Sequence, residues 1–122
     1  MSTLVTSNIS DGTTSVGTGY VVNGSAKAWV NFDQVSTNTA RDSLNVSSMT
    51  DFTTGQAHIN MTSAFTNTNY AVALGVGATD YYIYQQEQSG NKTASKTDVR
   101  TTNSSHAYVD TNWSAWNIGD LA

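Results

Sequence analysis

The chain has 122 residues, a size typical of one domain, and a formal net charge of −4 at pH 7. Its five Lys and Arg residues form no basic stripe that would neutralise phosphates, which excludes nucleic acid as a partner. There is no cysteine for disulfides or thiolate metal sites, and no apolar run approaches the roughly 18 residues of a membrane helix. The sequence therefore predicts a soluble domain that binds no membrane.

The first 18 residues differ in composition from the rest of the chain. Leu4, Val5 and Ile9 are apolar, whereas the stretch from Ser10 to Gly19 is polar and has almost no bulky side chains. We interpret residues 1–18 as an extended arm and linker, with its three apolar residues as candidate contacts to a partner. Residues 19–122 would then form the folded domain. An edge strand of the main sheet followed by a long loop is an alternative interpretation of the same segment.

Alternation of apolar and polar residues recurs along the rest of the chain, whereas helical periodicity is absent. Residues 26–33 place Val30 and Phe32 on one face of a predicted strand and Trp29 on the other. Further strands are predicted at residues 57–61, 70–76, 81–88, 93–102, 107–109 and 116–118. Turn-type residues lie between them, at 10–12, 23–25, 53–55 and 89–92. Short strands at this spacing predict an all-β fold, an antiparallel β-sandwich or jelly-roll.

The supply of core residues is small for a folded domain. Hydrophobic residues make up 38% of the chain, and there is no proline to protect the edge strands of a sheet. Packing against neighbouring subunits would protect those edges and would bury further apolar area. We therefore expect a homotrimer, in which the first partner of the chain is another copy of itself.

Catalytic and metal-binding patterns are not found in the sequence. His58 and His106 have no carboxylate or second histidine at ligand spacing, and we interpret both as solvent-facing residues of strands. No G-x-S-x-G motif accompanies the many serines, and the nine carboxylates form no calcium-loop pattern. The sequence therefore predicts a protein that is not an enzyme and has no metal or cofactor.

A cluster of tyrosines provides a further candidate contact. Tyr81, Tyr82 and Tyr84 fall in one predicted strand, with Tyr82 and Tyr84 on the face opposite Tyr81. Tyrosine is amphipathic and is common at interfaces and in sugar stacking. The sequence leaves two interpretations open for this cluster, a subunit contact and a surface that binds a ligand. Trp29 is likewise a candidate for an inter-sheet or inter-subunit contact.

Three segments resemble a motif of small virion structural proteins from marine tailed bacteriophages. Residues 26–33 read AKAWVNFD, residues 41–51 read RDSLNVSSMTD, and residues 59–62 read INMT, followed by a Tyr-Ala-Val strand at residue 70. In that family an AKAWVNF strand precedes an RDSFNVSSITD-like stretch and a strand ending in NFT. The resemblance extends over residues 20–76, includes the opening MSTL, and is weak beyond residue 76. Leu44 replaces the usual Phe, and residues 34–38 replace a Gly-rich turn.

The resemblance implies a protein of the virion surface that is made in the cytoplasm of the host bacterium. Residues 1–9 have neither the basic region nor the apolar region of a signal peptide, so release by cell lysis is expected. A short chain is better suited to coat a surface than to reach a distant receptor, which favours a decoration or cement protein bound to the major capsid protein or another virion protein. A receptor-binding tail-fibre tip, with a host-surface glycan or receptor as its partner, is the second interpretation. A depolymerase and a free carbohydrate-binding module rank below both.

Overall fold

Ten strands and one short helix make up the computed structural model, which describes residues 1–87 and 90–122. Short strands dominate because β-branched Thr and Val are abundant and strong helix formers are sparse. The elements are β1 (Asn8–Ser10), β2 (Ser15–Gly17), α1 (Thr18–Gly24), β3 (Ala28–Asp33), β4 (Thr39–Leu44), β5 (Val46–Thr53), β6 (Gln56–Met61), β7 (Ala71–Val76), β8 (Tyr81–Gln85), β9 (Lys96–Asn103) and β10 (Trp113–Ile118).

Eight of these strands form two antiparallel four-stranded sheets. The first sheet has the order β4-β3-β10-β7, and the second has the order β5-β6-β9-β8. Side chains from the two inner faces meet in one core, so the sheets form a sandwich. The all-β sandwich predicted from the alternating pattern is confirmed. Among the described residues, no helix is long and apolar enough to cross a bilayer.

The core lies between β3 and β10 on one side and β6 and β9 on the other. Phe32 and Trp113 pack edge to face, with their ring centroids 5.2 Å apart, and both are buried. Val30 is also buried in this cluster, together with Ile59 from the opposite sheet. The predicted inward direction of Val30 and Phe32 is therefore confirmed. Ala28 and Met61 belong to a second, smaller cluster at one end of the sandwich; its other members are Phe65, Tyr70 and the half-buried Val72.

Strands β4 and β5 are edge strands that the sequence pattern did not predict. Most of their residues are exposed, and only Ala40, Val46 and Met49 pack against the core, so neither strand shows the regular alternation of a half-buried strand. Their backbone pairing is irregular, with one register shift in β4 next to the Asn31/Phe32 step of β3 and two in β5. Such bulges twist an edge strand away from further pairing.

The predicted strand at residues 107–109 is wrong, because only an isolated bridge between Thr102 and Tyr108 forms there. His106 consequently lies outside the strands, with a left-handed backbone at φ 61°.

The hairpin predicted between residues 81–88 and 93–102 is confirmed, since β8 and β9 pair antiparallel. Its predicted turn at residues 89–92 includes Ser89, which lies outside the described residues.

The turn between β5 and β6 requires glycine. Gly55 has a left-handed backbone, at φ 69°, and a Cβ at this position would lie 2.6 Å from both the Thr101 carbonyl oxygen and the Val109 backbone nitrogen. Its own N–H donates to Asp110 Oδ1 over 2.7 Å. The hairpin tip is thus packed directly against the β9–β10 connection.

The N-terminal residues form their own small substructure, outside both main sheets. Strands β1 and β2 pair only with each other, around the predicted turn at Asp11-Gly12. The seven-residue helix α1 follows directly, so the predicted boundary after residue 18 falls inside it. The sequence pattern did not predict this short helix, and the predicted turn at residues 23–25 is the last turn and cap of α1. We refer to residues 1–24 as the N-terminal unit.

Candidate contact surfaces

The apolar side chains of the N-terminal unit are exposed. Leu4 and Val5, which the sequence marked as candidate contacts, have 85% and 90% of their surface exposed. Ile9 lies in β1 and is about half exposed, with Val16 opposite it in β2. A two-stranded hairpin has no second layer on which to bury its apolar face. These residues therefore form an uncovered apolar surface.

Helix α1 extends this surface. None of its residues is buried, and Tyr20, Val21 and Val22 are all exposed. Thr, Val and Gly are poor helix formers, so the sequence alone does little to hold this helix. Lys27 compensates by donating from Nζ to the Val22 carbonyl and, over 2.8 Å, to the Ser25 carbonyl. A cation at the carbonyl end is favourable, because the last carbonyl groups of a helix are otherwise unpaired.

The tyrosine cluster divides between the two faces of β8. Tyr82 and Tyr84 are about half exposed on the outer face of the second sheet. Tyr81 lies on the other face and is only partly exposed, as is Ile83, which packs against the core. The predicted division of the cluster is confirmed, and Tyr82 and Tyr84 are its two members on the outer surface.

Neighbouring aromatic residues enlarge this surface, which we call the tyrosine face. Tyr82 stacks on His106 at 5.9 Å, and Phe52 stacks on His58 at 5.1 Å, measured between ring centroids. Phe52 and Tyr108 are both more than half exposed. The sequence did not mark Phe52 or Tyr108, because each depends on strand pairing or on a loop to reach the outer face of the second sheet.

Hydrogen bonds order one end of the tyrosine face. Arg100 donates from Nη1 to the Tyr108 hydroxyl oxygen over 3.2 Å. The pKa of Tyr108 is lowered, because Tyr84 donates to its hydroxyl and Arg100 stabilises the phenolate form. The pKa of Tyr84 is raised, first by burial and then by its hydrogen bond to Tyr108. The pKa values of these two tyrosines are therefore linked, and they shift in opposite directions.

A buried carboxylate lies beneath this face. Asp98 is completely buried, and its Oδ2 accepts from Gln56 Nε2 at 2.8 Å and contacts His58 Nε2 at 3.1 Å. Its Oδ1 accepts from Arg100 Nε at 3.3 Å. The solvent-facing interpretation of His58 is therefore wrong: the β6–β9 register places His58 directly opposite Asp98, 40 positions away in sequence.

Through these contacts, Asp98 holds Gln56, His58 and Arg100 in place beneath the tyrosine face. A His–Asp pair activates a nucleophile only when a hydroxyl or thiol hydrogen-bonds to the imidazole. Within the described part of the chain, His58 has no hydrogen bond to a Ser or Thr hydroxyl, and Phe52 covers its ring. No group of three His, Asp or Glu residues with metal-binding geometry occurs within residues 1–87 and 90–122.

Trp29 lies on a third surface, the outer face of the first sheet. Its direct neighbours across the strands are Trp116 in β10 and Leu44 in β4, and Ala73 in β7 continues the row beyond Trp116. Trp29 is half-buried, whereas Trp116 and Leu44 are close to half exposed. The structure therefore places Trp29 away from the inter-sheet core and in a different surface from Leu4, Val5 and Ile9.

Comparison with protein-family models, with curated proteins and with solved structures found no match to this chain.

Proposed function

We propose that this chain is a non-enzymatic structural protein of the virion surface in a tailed bacteriophage, and that it decorates and stabilises the head. The observation that supports this proposal best is the uncovered apolar surface of the N-terminal unit. A monomeric protein rarely leaves such a surface free unless a partner covers it. The sequence resemblance over residues 20–76 supports the assignment of that partner to a virion.

The composition of the N-terminal unit favours a contact that does not depend on salt. Asp11 is the only charged side chain among residues 1–24. Long-range ion pairs, which salt screens, therefore contribute little to binding. Apolar burial of Leu4, Val5 and Tyr20 would supply most of the free energy. A protein that binds only the assembled shell stabilises that shell by mass action, without any chemical step.

The N-terminal contact is tested with a variant that carries Leu4→Ser and Val5→Ser. Both side chains are almost fully exposed, so the variant should fold like the wild type. We expect it to lose co-sedimentation with expanded heads that lack the protein, while wild-type binding persists in molar salt. The matched control is Val35→Ser, which removes an exposed apolar side chain from the β3–β4 connection and should bind normally.

Retention of head binding by the Leu4→Ser/Val5→Ser variant would contradict the proposed contact. The location on the virion is measured separately, by quantitative mass spectrometry of purified virions. Hundreds of copies per particle are expected for a head decoration, and a few dozen or fewer would place the protein in a fibre.

The proposed decoration protein is a homotrimer, a closed symmetry that lets one unit bridge several shell subunits. Light scattering at micromolar protein should give about three times the chain mass of 13.0 kDa. A monomer with a cooperative thermal transition would show that the small core suffices and that oligomerisation is not needed for folding.

A receptor-binding fibre tip is the second candidate, and the tyrosine face favours it. Tyr82, Tyr84 and Tyr108 present partly exposed rings, and amphipathic aromatic residues dominate the centres of many binding surfaces. The Tyr82→Ala variant separates the two functions. Loss of host-cell binding with intact head binding would favour the fibre function, whereas unchanged cell binding would leave the head decoration as the supported function.

A further inference from the structure

We propose that the outer face of the first sheet holds a binding site for a neutral saccharide, at a depression beside Trp116. This site is separate from both the N-terminal unit and the tyrosine face. The proposal does not depend on where the protein sits in a virion. Its test uses the isolated protein, so failure of the proposed function and failure of this site would be distinguishable.

Strand register places the lining of the depression on one face. The row next to Trp29 and Trp116 runs across the sheet through Asp42, Asn31, Ser114 and Gly75. Residues directly opposite one another share a face, so these polar side chains lie beside the two tryptophans. The depression has a volume of about 300 Å³. That is at the lower end of the ~300–1,000 Å³ typical of small-ligand clefts.

Gly75 leaves the floor of the depression open. It is an interior residue of β7, where glycine weakens a strand, and it has no positive φ that would require glycine. A Cβ at this position would have no atom within 4 Å, so the space above it is empty. Glycine within a strand often marks a place where a ligand approaches the backbone closely. The backbone conformation therefore does not require glycine here, and the open space above Gly75 is accessible to a ligand.

A fixed network of polar groups forms one wall. The irregular β3–β4 register leaves Arg41 unpaired between Ala40 and Asp42, and bulges of this kind redirect a side chain. Arg41 Nη2 lies 3.1 Å from Asp33 Oδ2. Asn112, in the amide orientation that satisfies both of its ends, donates to Asp33 Oδ1 and accepts from Arg41 Nη2, each over 3.0 Å.

The backbone holds this wall in place as well. The Gly77 N–H donates to the Asn112 carbonyl oxygen over 3.0 Å, which ties the residue before β10 to the end of β7. Arg41 remains about half exposed, so part of its side chain still faces the depression. A network that is already formed costs little conformational entropy when a ligand binds.

The charge balance of the depression points to an uncharged ligand. Among the described residues that line the depression, Arg41 is the one charged side chain, and Asp33 pairs with it and largely neutralises its charge. A phosphate, sulfate or carboxylate group would gain little from this paired cation, and Asp42 on the same face disfavours it. Amide and hydroxyl groups such as those of Asn31 and Ser114 both donate and accept, which matches sugar hydroxyl groups that do the same.

Trp116 supplies the apolar part of the recognition. A pyranose ring combines an apolar C–H face with a rim of hydroxyl groups. The partly exposed indole of Trp116 lies at the edge of the depression, where it would stack on that C–H face. The polar rim of the sugar would then meet Asn31 and Ser114 over the open floor at Gly75. An indole next to amide and hydroxyl groups is the arrangement that such a ring requires.

The probe set consists of the methyl glycosides of glucose, galactose, mannose and N-acetylglucosamine, with glucuronic and sialic acid as charged comparisons. Saturation-transfer NMR detects binding at millimolar ligand, and tryptophan fluorescence reports stacking on Trp116. We expect at least one neutral glycoside to bind the wild-type protein, with the acids weaker than the best neutral probe.

Gly75→Val is the main variant, because valine favours a strand and would fill the floor of the depression without a clash. We expect affinity for the bound glycoside to fall by about tenfold or more, with no loss of thermal stability. Trp116→Ala should weaken binding by a similar factor. Val35→Ser, which changes an exposed apolar residue of the β3–β4 connection outside the lining of the depression, is the control and should bind like the wild type.

Three binding results would overturn the proposal, and so would one change of oligomeric state. The first is that no neutral glycoside binds at tens of millimolar, and the second is that the acids bind as tightly as the best neutral probe. The third is unchanged affinity in Gly75→Val. Dissociation of a wild-type oligomer by Gly75→Val, seen by light scattering, would also overturn it and would make this face a contact between copies of the chain.

Discussion

The N-terminal unit exposes its apolar residues, whereas the β-sandwich buries most of those on its inner faces. In the sandwich, Val30, Phe32 and Ile59 are completely or almost completely buried, whereas in the N-terminal unit Leu4 and Val5 are almost fully exposed. Both regions are held by backbone hydrogen bonds, but only the sandwich has a second layer. Substitutions in the sandwich should therefore change folding, and substitutions in the N-terminal unit should change binding.

The largest difference is expected between Phe32→Ala and Leu4→Ala. Removing the fully buried Phe32 ring should cost about 3–5 kcal/mol, because the cavity cannot collapse completely. Since small domains have only about 5–15 kcal/mol of stability, this variant should be largely insoluble. Leu4→Ala should change the free energy of unfolding by less than about 0.5 kcal/mol. Denaturant titration measures both, and a soluble Phe32→Ala protein with normal melting would contradict the packing of β3.

Two glycines with left-handed backbone, one in each region, allow the same substitution to be compared. Gly55→Ala should cost about 2–4 kcal/mol, because the new Cβ would be strained and would also collide with the Thr101 and Val109 backbone. Gly12→Ala in the β1–β2 turn has the same kind of backbone but nothing within 4 Å of the new Cβ, so only about 1–2 kcal/mol of strain within the hairpin is expected.

Thermal unfolding of the sandwich distinguishes the two glycine variants. Gly55→Ala should lower the transition temperature clearly, and Gly12→Ala should leave it almost unchanged. Equal shifts for the two variants would show that the N-terminal unit and the sandwich unfold together and would remove the distinction drawn between them.

Lys27→Met tests the connection between the N-terminal unit and the sandwich, and its expected effect on stability is smaller. Loss of the ammonium group removes its hydrogen bonds to the Val22 and Ser25 carbonyls at the end of α1. We expect the helix to lose about 0.5–1 kcal/mol, seen as faster hydrogen exchange of its amides. Amides in β3 and β10 should keep their protection, and faster exchange there would show that α1 also supports the first sheet.

The smallest effects are expected in acid, from one aspartate in each region. The pKa of Asp33 is lowered, mainly because the Ser36 N–H donates to its carboxylate, with a further contribution from Arg41. The pKa of Asp11 is lowered by the Thr14 and Thr13 backbone N–H groups. A lowered pKa in the folded state means that the stabilisation is complete above the unfolded-state pKa and disappears as pH falls through the folded-state pKa.

NMR titration of the side-chain carboxyl groups measures these pKa values directly. Asp33→Asn should make the free energy of unfolding of the sandwich less dependent on pH in the acid range. Asp11→Asn should change only the hydrogen exchange of amides in the β1–β2 hairpin. A titration of Asp33 at its ordinary pKa would contradict the hydrogen bonds described for it.

Strands that face the core were predictable from the sequence, and the edge strands were not. In β3 the alternation of Val30 and Phe32 with Trp29 directly reflects one buried and one outer face. In β4 and β5 both faces are largely exposed, so selection for apolar residues is weak and no period-two pattern arises. Strands β4 and β5 form because their backbones pair with β3 and β6. Their residue types do not indicate this pairing.

Candidate site residues were predictable only where the alternation of side chains along one strand shows which of them face outward. Tyr82 and Tyr84 were placed on the outer face correctly because they share one strand. The contact between His58 and Asp98, and the row formed by Trp29 and Trp116, depend on which strands become neighbours. That choice results from long-range pairing, so no local spacing in the sequence indicates it.

The bulged edges of β4 and β5 have a consequence for aggregation. Closely packed sandwiches with straight, open edges would be prone to join edge to edge into fibrous aggregates. The register shifts in both strands interrupt the regular row of backbone donors and acceptors that such growth requires. With no proline anywhere in the sequence, these irregularities protect one edge of each sheet, whereas β7 and β8 at the opposite edges pair in regular register. Edge-to-edge growth that needs both edges of a sheet is therefore blocked on one side.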